Sequence, residues 1–436
     1  DAIDQDVHGT AVFSIVGGYA PGKLIGPSYN AKYILAKTED VRSETHVEED
    51  NYAAALEWME GLGVDITSSS LGYNIFDDPE ASYTYADMNG KTAIVTRAAE
   101  MAFKRGVLTI TAAGNEGDNS WHYITAPADG FNTIAVGSVT SSNVVSAFSS
   151  RGPTSDGRIK PDIVAQGSSD YEAVAHSTDR YAFGSGTSFA TPVASGCAGL
   201  LLSAYPYLTN VELRRILLIT ADNSGTPDSS RGYGLVSAMK AIEYPNIEHK
   251  TSGLVLHKAF LDSSGVKPES VRMLYSFDDS SFTALPAGNQ NSTAFYTVNL
   301  PFTQISKLRV YFTYTDSTGK NVRSPLAGTY VLTPDTLGGN PGNVPQDFVL
   351  SQNYPNPFNR STKIDFYAPA NQNVQILIYN ILGQKVFTFN VETVNGTNSV
   401  VWNGTGENGL QCSSGIYLYS LKLNGNLYTK KMILLK

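Results

Sequence analysis

The period of the apolar positions divides the chain near residue 245. Before that point, short strand-like apolar runs alternate with stretches repeating at helical spacing. His8–Gly18 reads as a short helix ended by glycines, Ala31–Ala36 as a strand, and Asp50–Glu60 as a helix stopped by Gly61. Val64–Ser70 reads as a strand, residues 92–105 as a helix closed by Gly106, and Val107–Ala113 and Thr133–Val139 as strands. Phe189–Tyr205 is small or apolar on every side, which predicts a buried helix. Thr209-Asn210-Val211-Glu212 is a capping box opening a helix that runs through Ile219. Such alternation predicts an α/β fold, a parallel sheet with helices on both faces. Functional groups then collect beyond the carboxyl ends of the strands.

After Tyr244-Pro245-Asn246 the helical spacing stops. Val271–Phe277, Ala294–Leu300, Leu308–Thr315 and Thr329–Leu332 alternate like strands, which predicts a small immunoglobulin- or fibronectin-like β-sandwich over 247–336. Turn formers from Leu337 to Pro345 mark a linker, 337–346. The last block, 347–436, alternates again at Val374, Ile376 and Ile378 and at Tyr417, Tyr419, Leu421 and Leu423, with a hairpin turn at Asn424-Gly425. The expected order is an α/β domain over 1–246, then two all-β sandwich domains on either side of the linker.

Composition narrows the classes. A chain of 436 residues has room for two or three domains. Its net charge of −9 is spread without a basic stripe, so no nucleic-acid partner is expected. The apolar runs read as too short to span a bilayer, so no transmembrane segment is expected. Cys197 and Cys412 are far apart and read as small core residues, without a disulfide or metal-type spacing. His249 and His257 lack obvious partners and read as surface or packing residues.

Chemistry concentrates around one serine. In Gly184-Ser185-Gly186-Thr187-Ser188-Phe189-Ala190-Thr191-Pro192, glycines precede the serine and the buried helix follows it. Pro192 is taken to lie in the first helical turn, which puts Ser188 at or just before the helix N-terminus. Free backbone N–H groups there favour developing negative charge. Taken alone, the serine reads better as a cap on a core helix.

The run Gly186–Pro192 resembles the nucleophile signature of the subtilisin-like serine proteases, peptidase family S8. His8-Gly9-Thr10 is similar to that family's histidine signature, and Ala112-Ala113-Gly114-Asn115-Glu116-Gly117 to its oxyanion-asparagine signature. The three stand in family order, reinforced by Phe148-Ser149-Ser150-Arg151-Gly152-Pro153 and Lys160-Pro161-Asp162, and the match extends to about residue 242. The resemblance implies a serine endopeptidase on a subtilisin-like fold acting on protein or peptide substrates. Ser188 would be the nucleophile, His8 the general base and then acid, and the Asn115 side chain with the Ser188 N–H the oxyanion donors. Ser70-Leu71-Gly72 resembles the edge along which these enzymes lay substrate as an added strand. Ala112-Ala113-Gly114 would line one wall of the specificity pocket. No metal ligands and no cofactor are expected in the chemistry. Structural calcium is common in the family, but no run of carboxylates at ligand spacing stands out.

The final block resembles the C-terminal sorting domain of proteins exported by the type IX (Por) secretion system. The matching words are Gln352-Asn353-Tyr354-Pro355-Asn356-Pro357-Phe358-Asn359, Ile378-Tyr379-Asn380-Ile381-Leu382-Gly383-Gln384, Ser414-Gly415-Ile416-Tyr417 and Lys431–Lys436. The implied partner is the type IX machinery, reached through 347–436, and the implied location is secreted or attached to the cell surface.

One feature departs from the family. The triad aspartate precedes the histidine by roughly thirty residues in family order, but only seven residues precede His8. Asp4 and Asp6 lie too close along the backbone to fold behind the imidazole. The chain is expected to be truncated at its N-terminus, with the triad aspartate upstream of residue 1. Impaired catalysis and unpaired sheet edges are expected to follow. Two other readings stay open: a catalytically inactive surface-binding protein on a subtilisin scaffold, and β-modules that bind glycan or protein with the protease fold as carrier. A dead scaffold has no chemical need for all three signatures, which argues against both.

Overall fold

A computed structural model describes residues 7–77, 80–250, 252–261, 265–290, 294–303, 305, 307–333, 349–350, 353, 355–368, 373–393, 396–423 and 426–435. The linker 337–346, Asp4, Asp6 and the turn Asn424-Gly425 lie outside the described residues.

The first region opens with α1 (His8–Gly17), followed by a small hairpin of β1 (Tyr19–Ala20) and β2 (Leu24–Ile25). Then come α2 (His46–Gly61), β3 (Ile66–Ser69), α3 (Ile94–Lys104), β4 (Leu108–Ala112), β5 (Ile134–Val139) and β6 (Ile163–Gln166). The four strands pair in parallel in the order β3-β4-β5-β6. An antiparallel hairpin, β7 (Ser168–Ala173) with β8 (Tyr181–Ser185), leads into α4 (Thr187–Ala204). The short helices α5 (Asn210–Ile219) and α6 (Ala238–Glu243) complete the region.

α4 packs along all four parallel strands. Its Ala190, Ala194, Ala198 and Leu201 join Leu108, Ile110, Ile134, Val136 and Ile163 in the main core. Tyr52 and Leu56 of α2 pack with Val95, Ala99 and Ala102 of α3 in a second cluster. The glycines within α4 have a packing reason. A Cβ on Gly196 would lie 2.8 Å from Pro27, and one on Gly199 would lie 2.3 Å from Ser28 Oγ. The segment leaving the first hairpin therefore crosses α4 where the helix has no side chains. By length and mean hydropathy (18 residues, 1.2) α4 could cross a membrane, contrary to the expectation that no apolar run is long enough. Its packing on the sheet identifies it as the core helix. Cys197 lies within it, and burial pushes its thiol up to about 11. Cys412 is half-buried, and neither cysteine is in a disulfide.

The strand expected at Ala31–Ala36 does not form. A strand needs a ladder partner for its backbone groups. Among the described residues β3 bonds only to β4, so β3 is the sheet edge and no strand pairs with Ala31–Ala36. Leu35 there is 66% exposed. The helix read as Asp50–Glu60 begins earlier, at His46, because the Glu48 carboxylate accepts the Thr45 N–H at 2.9 Å. Thr45-x-x-Glu48 is a second capping box, overlooked beside Thr209-x-x-Glu212.

The middle region is a sandwich of two antiparallel sheets. One has the order β13-β14-β10-β9, from β9 (Asn246–Lys250), β10 (Gly253–Ala259), β13 (Gly288–Asn289) and β14 (Phe295–Asn299). The other has the order β12-β11-β15-β16, with β17 also on β15. It comprises β11 (Arg272–Ser276), β12 (Thr283–Pro286), β15 (Leu308–Thr315), β16 (Asn321–Ser324) and β17 (Tyr330–Leu332). Leu256, Met273, Val298, Val310 and Phe312 form its core. His257 does have a partner: its Nε2 lies 3.0 Å from Glu248 Oε2, and burial pulls its pKa down. Residues so close across a β9–β10 pair are not adjacent in sequence, which is why the partner was missed.

The last region is a second sandwich. β18 (Val349–Leu350), β19 (Thr362–Ala368) and β22 (Gly396–Trp402) form one sheet. β20 (Asn373–Asn380), β21 (Lys385–Glu392), β23 (Gly415–Leu423) and β24 (Asn426–Leu434) form the other, in the order β21-β20-β23-β24. Trp402, Tyr419, Ile376 and Phe366 fill its core. This region touches the first through Lys430 of β24. That ammonium, 7% exposed as a residue, donates to the Glu60 carboxylate and to the Arg105 carbonyl at 2.6 Å.

Candidate active site

Ser188 is the second residue of α4, and Gly186 is the N-cap with φ +154°. Side chains rarely adopt that backbone conformation, so glycine is required where β8 turns into the helix. Pro192 is not in the first turn as the sequence suggested. It is the sixth helical residue, and its missing N–H leaves the Ser188 carbonyl without an intrahelical donor. Ser70 fills the vacancy, its Oγ donating to Ser188 O at 2.7 Å. The segment following β3 is thereby fastened to the turn carrying Ser188.

Asn115 follows the carboxyl end of β4. Its Oδ1 accepts the Thr187 N–H at 2.8 Å and the Thr187 hydroxyl at 3.0 Å. That fixes the amide's orientation, and among the described residues Nδ2 is left as an exposed donor beside Gly186. The Ser188 N–H belongs to the first helical turn, whose amides have no intrahelical acceptor.

His8 is the first residue of α1 and is partly exposed. Its ring lies edge-on to Phe189, with centroids 6.2 Å apart. α1 is held in place by packing on α4 and β7, and the Ala173 N–H donates to Ser14 Oγ at 2.9 Å. His8, Asn115, Ser188 and Ser70 thus come from four separate elements and meet around the first turn of α4. Strand β4 delivers Asn115, β3 delivers Ser70, and two helix N-termini deliver His8 and Ser188.

The other predicted residues lie alongside. Gly72 is exposed and Leu71 half-buried. Ala112 and Ala113 are 3% and 0% exposed, so their methyl groups belong to the core, and only Gly114 and Asn115 reach the surface there. Between Gly72 and Gly114 stands Thr125, which the sequence reading overlooked because it belongs to no motif. Its Oγ1 would lie 2.3 Å from a Cβ on Gly72 and 2.9 Å from one on Gly114. That hydroxyl is buried and has no hydrogen-bond partner among the described residues. Among the described residues, no group of three His, Cys, Asp or Glu side chains is arranged to hold a metal ion.

Residues 1–235 match the subtilase family (peptidase S8), and residues 352–435 match the secretion-system C-terminal sorting domain. The chain is 36% identical over 190 residues to the halolysin-like extracellular serine protease Nep of Natrialba magadii, covering 44% of this chain and 30% of that protein. It is 31% identical over 239 residues to an alkaline protease of Alkalihalobacillus alcalophilus, covering 55% of each. Among solved structures, the prenylagaramide maturation protease PagA is similar at 25% identity with a TM-score of 0.43, over 55% of this chain and 83% of that one. The chain thus spans about a third to about half of the length of these two curated relatives.

Proposed function

The chain belongs to the subtilase family, and on that premise we propose that it is the body of a serine endopeptidase in which Ser188 attacks the scissile carbonyl. His8 takes the serine's proton and returns it to the leaving amine. The Asn115 Nδ2 and the Ser188 N–H hold the oxyanion. The observation that carries this reading is the division of the Asn115 amide: its oxygen is tied to Thr187, so its NH2 is available next to the nucleophile. The Ser70 hydroxyl is occupied by Ser188 O, so the backbone of Leu71 and Gly72 would receive the substrate strand. The surface at Gly114, with the Thr125 hydroxyl behind it, would form the wall of the specificity pocket. The sorting domain marks the protein for secretion or cell-surface attachment. The proposed partner of 347–436 is the type IX machinery.

The carboxylate that orients His8 is proposed to lie upstream of residue 1, on a strand that would cover the free edge of β3. That open edge and the unpaired Ala31–Ala36 support the placement. Without the carboxylate, turnover is expected to fall by about 3 × 10⁴, the loss known for another subtilase lacking it. The test is fluorophosphonate labelling of Ser188 and peptide hydrolysis, on residues 1–436 and on a form with the upstream segment restored. The longer form is expected to label and turn over far faster. Equal turnover in both would overturn the upstream placement. Absence of labelling in the longer form would overturn the peptidase and favour an inactive surface-binding protein.

A further inference from the structure

The middle sandwich, between the two matched regions, carries a cleft that proteolysis does not use. Along β15 the side chains of Leu308, Val310 and Phe312 are buried, while Arg309, Tyr311 and Thr313 alternate to the outer face of the sheet. Around Tyr311 that face is hollowed into a cleft of about 590 Å³, lined also by Asp279, Phe282, Arg309 and Arg323. The guanidinium of Arg323 lies over the Tyr311 ring, 4.1 Å from its centroid. Phe282 meets the same ring edge-to-face at 5.1 Å and 62°.

Among the described residues, the charges in the cleft are placed but only partly neutralised. Arg323 donates through Nη1 to the Pro325 carbonyl at 2.6 Å and through Nη2 to the Gly328 carbonyl. These bonds fix the guanidinium without giving it a counter-charge. Arg309 has a contact of 3.5 Å with Asp279, whose side chain is 50% exposed. The cleft thus holds two guanidiniums and one carboxylate, which Arg309 alone contacts among the described residues, on a protein whose net charge is −9. A protein so acidic overall repels polyanions in general, so a cationic spot on it selects by local geometry. Arginine's planar fork suits a carboxylate held bidentately. Ring surface suits the C–H face of a sugar, and a free carboxylate accepts hydroxyl hydrogens.

We propose that this cleft binds a carboxylated polysaccharide, its uronate carboxylate on Arg309 and Arg323, its pyranose face against Phe282, and a hydroxyl on Asp279. The middle domain would then hold the exported protein to an acidic glycan. An acidic peptide offers carboxylates too, but it brings neither the ring nor the hydroxyls.

The test titrates the full chain by calorimetry with polygalacturonate oligomers, with the same oligomers fully methyl-esterified, and with polyglutamate of matched charge. Binding to the acid oligomers is expected, at least tenfold weaker for the methyl ester and for polyglutamate. Arg323→Gln and Phe282→Ala should each weaken it at least tenfold, with melting temperatures unchanged. Absence of binding, equal affinity for the ester, equal affinity for polyglutamate, or undiminished binding by stably folded variants would each overturn the proposal.

Discussion

Asn115 divides its amide between two tasks, and the division makes a sharp prediction. The oxygen accepts from Thr187, which fixes the amide and leaves the Nδ2 donor for the proposed oxyanion. In the form proposed to carry the upstream carboxylate, Asn115→Ala should lower kcat by about 10²–10³-fold with little change in KM, a magnitude established on another member of the family. A rise in KM at unchanged kcat would assign the residue to substrate binding instead. At this scale the motif residues were legible, because Gly-Thr-Ser and Ala-Ala-Gly-Asn each place their functional group within one turn of chain. What was not legible is what those groups lean on. Ser70 stands far from Pro192 in sequence, yet it supplies the donor that the Ser188 carbonyl lacks because Pro192 has no N–H. Pro192 was read as a first-turn proline because the usual cost of an interior one was assumed to go uncompensated. Thr125 carried no signal at all.

Elements whose pattern is local were read correctly: α3, β4, β5 and α5 follow from periodicity, glycine stops and a capping box. Those that depend on a neighbour were not. Ala31–Ala36 has strand composition but no ladder partner, and the β7–β8 hairpin has no alternation strong enough to announce it. On that hairpin Asp170 is 7% exposed, and one of its oxygens has no hydrogen-bond partner among the described residues. Burial pushes its carboxyl up to about 6, with Glu172 adding to the effect. A carboxyl raised in the folded state keeps its proton longer than in the unfolded chain. Its contribution to stability is therefore full below the ordinary aspartate range and is lost as pH rises through about 6. Asp170→Asn should then stabilise the fold by about 1–3 kcal/mol at pH 8 and by almost nothing at pH 4. Melting curves at the two pH values check this, and a gain of equal size at both would sink it.

For the molecule as a whole, the order of an α/β region followed by two β regions was visible in the change of period near residue 245. How the regions touch was not, because a lysine on an amphipathic strand looks like any solvated lysine. Lys430 is instead buried against Glu60 and Arg105, and burial lowers its pKa. Among the described residues, Lys430→Ala would leave Glu60, its side chain 11% exposed, with only Arg105 at 3.7 Å. Breaking a buried pair from one side costs about 3–5 kcal/mol. Calorimetry on the variant should show the C-terminal sandwich melting apart from the rest, at a lower temperature. An unchanged transition would make the contact incidental.

The site of that attachment also decides what the tail leaves open. Arg105 precedes the start of β4, whereas Asn115 follows its far end, so a strand of roughly 17 Å separates them. The address label hangs from the stern while the proposed cutting edge is at the bow. If the type IX machinery holds the tail, as proposed, it does so at the end of β4 away from the candidate active site.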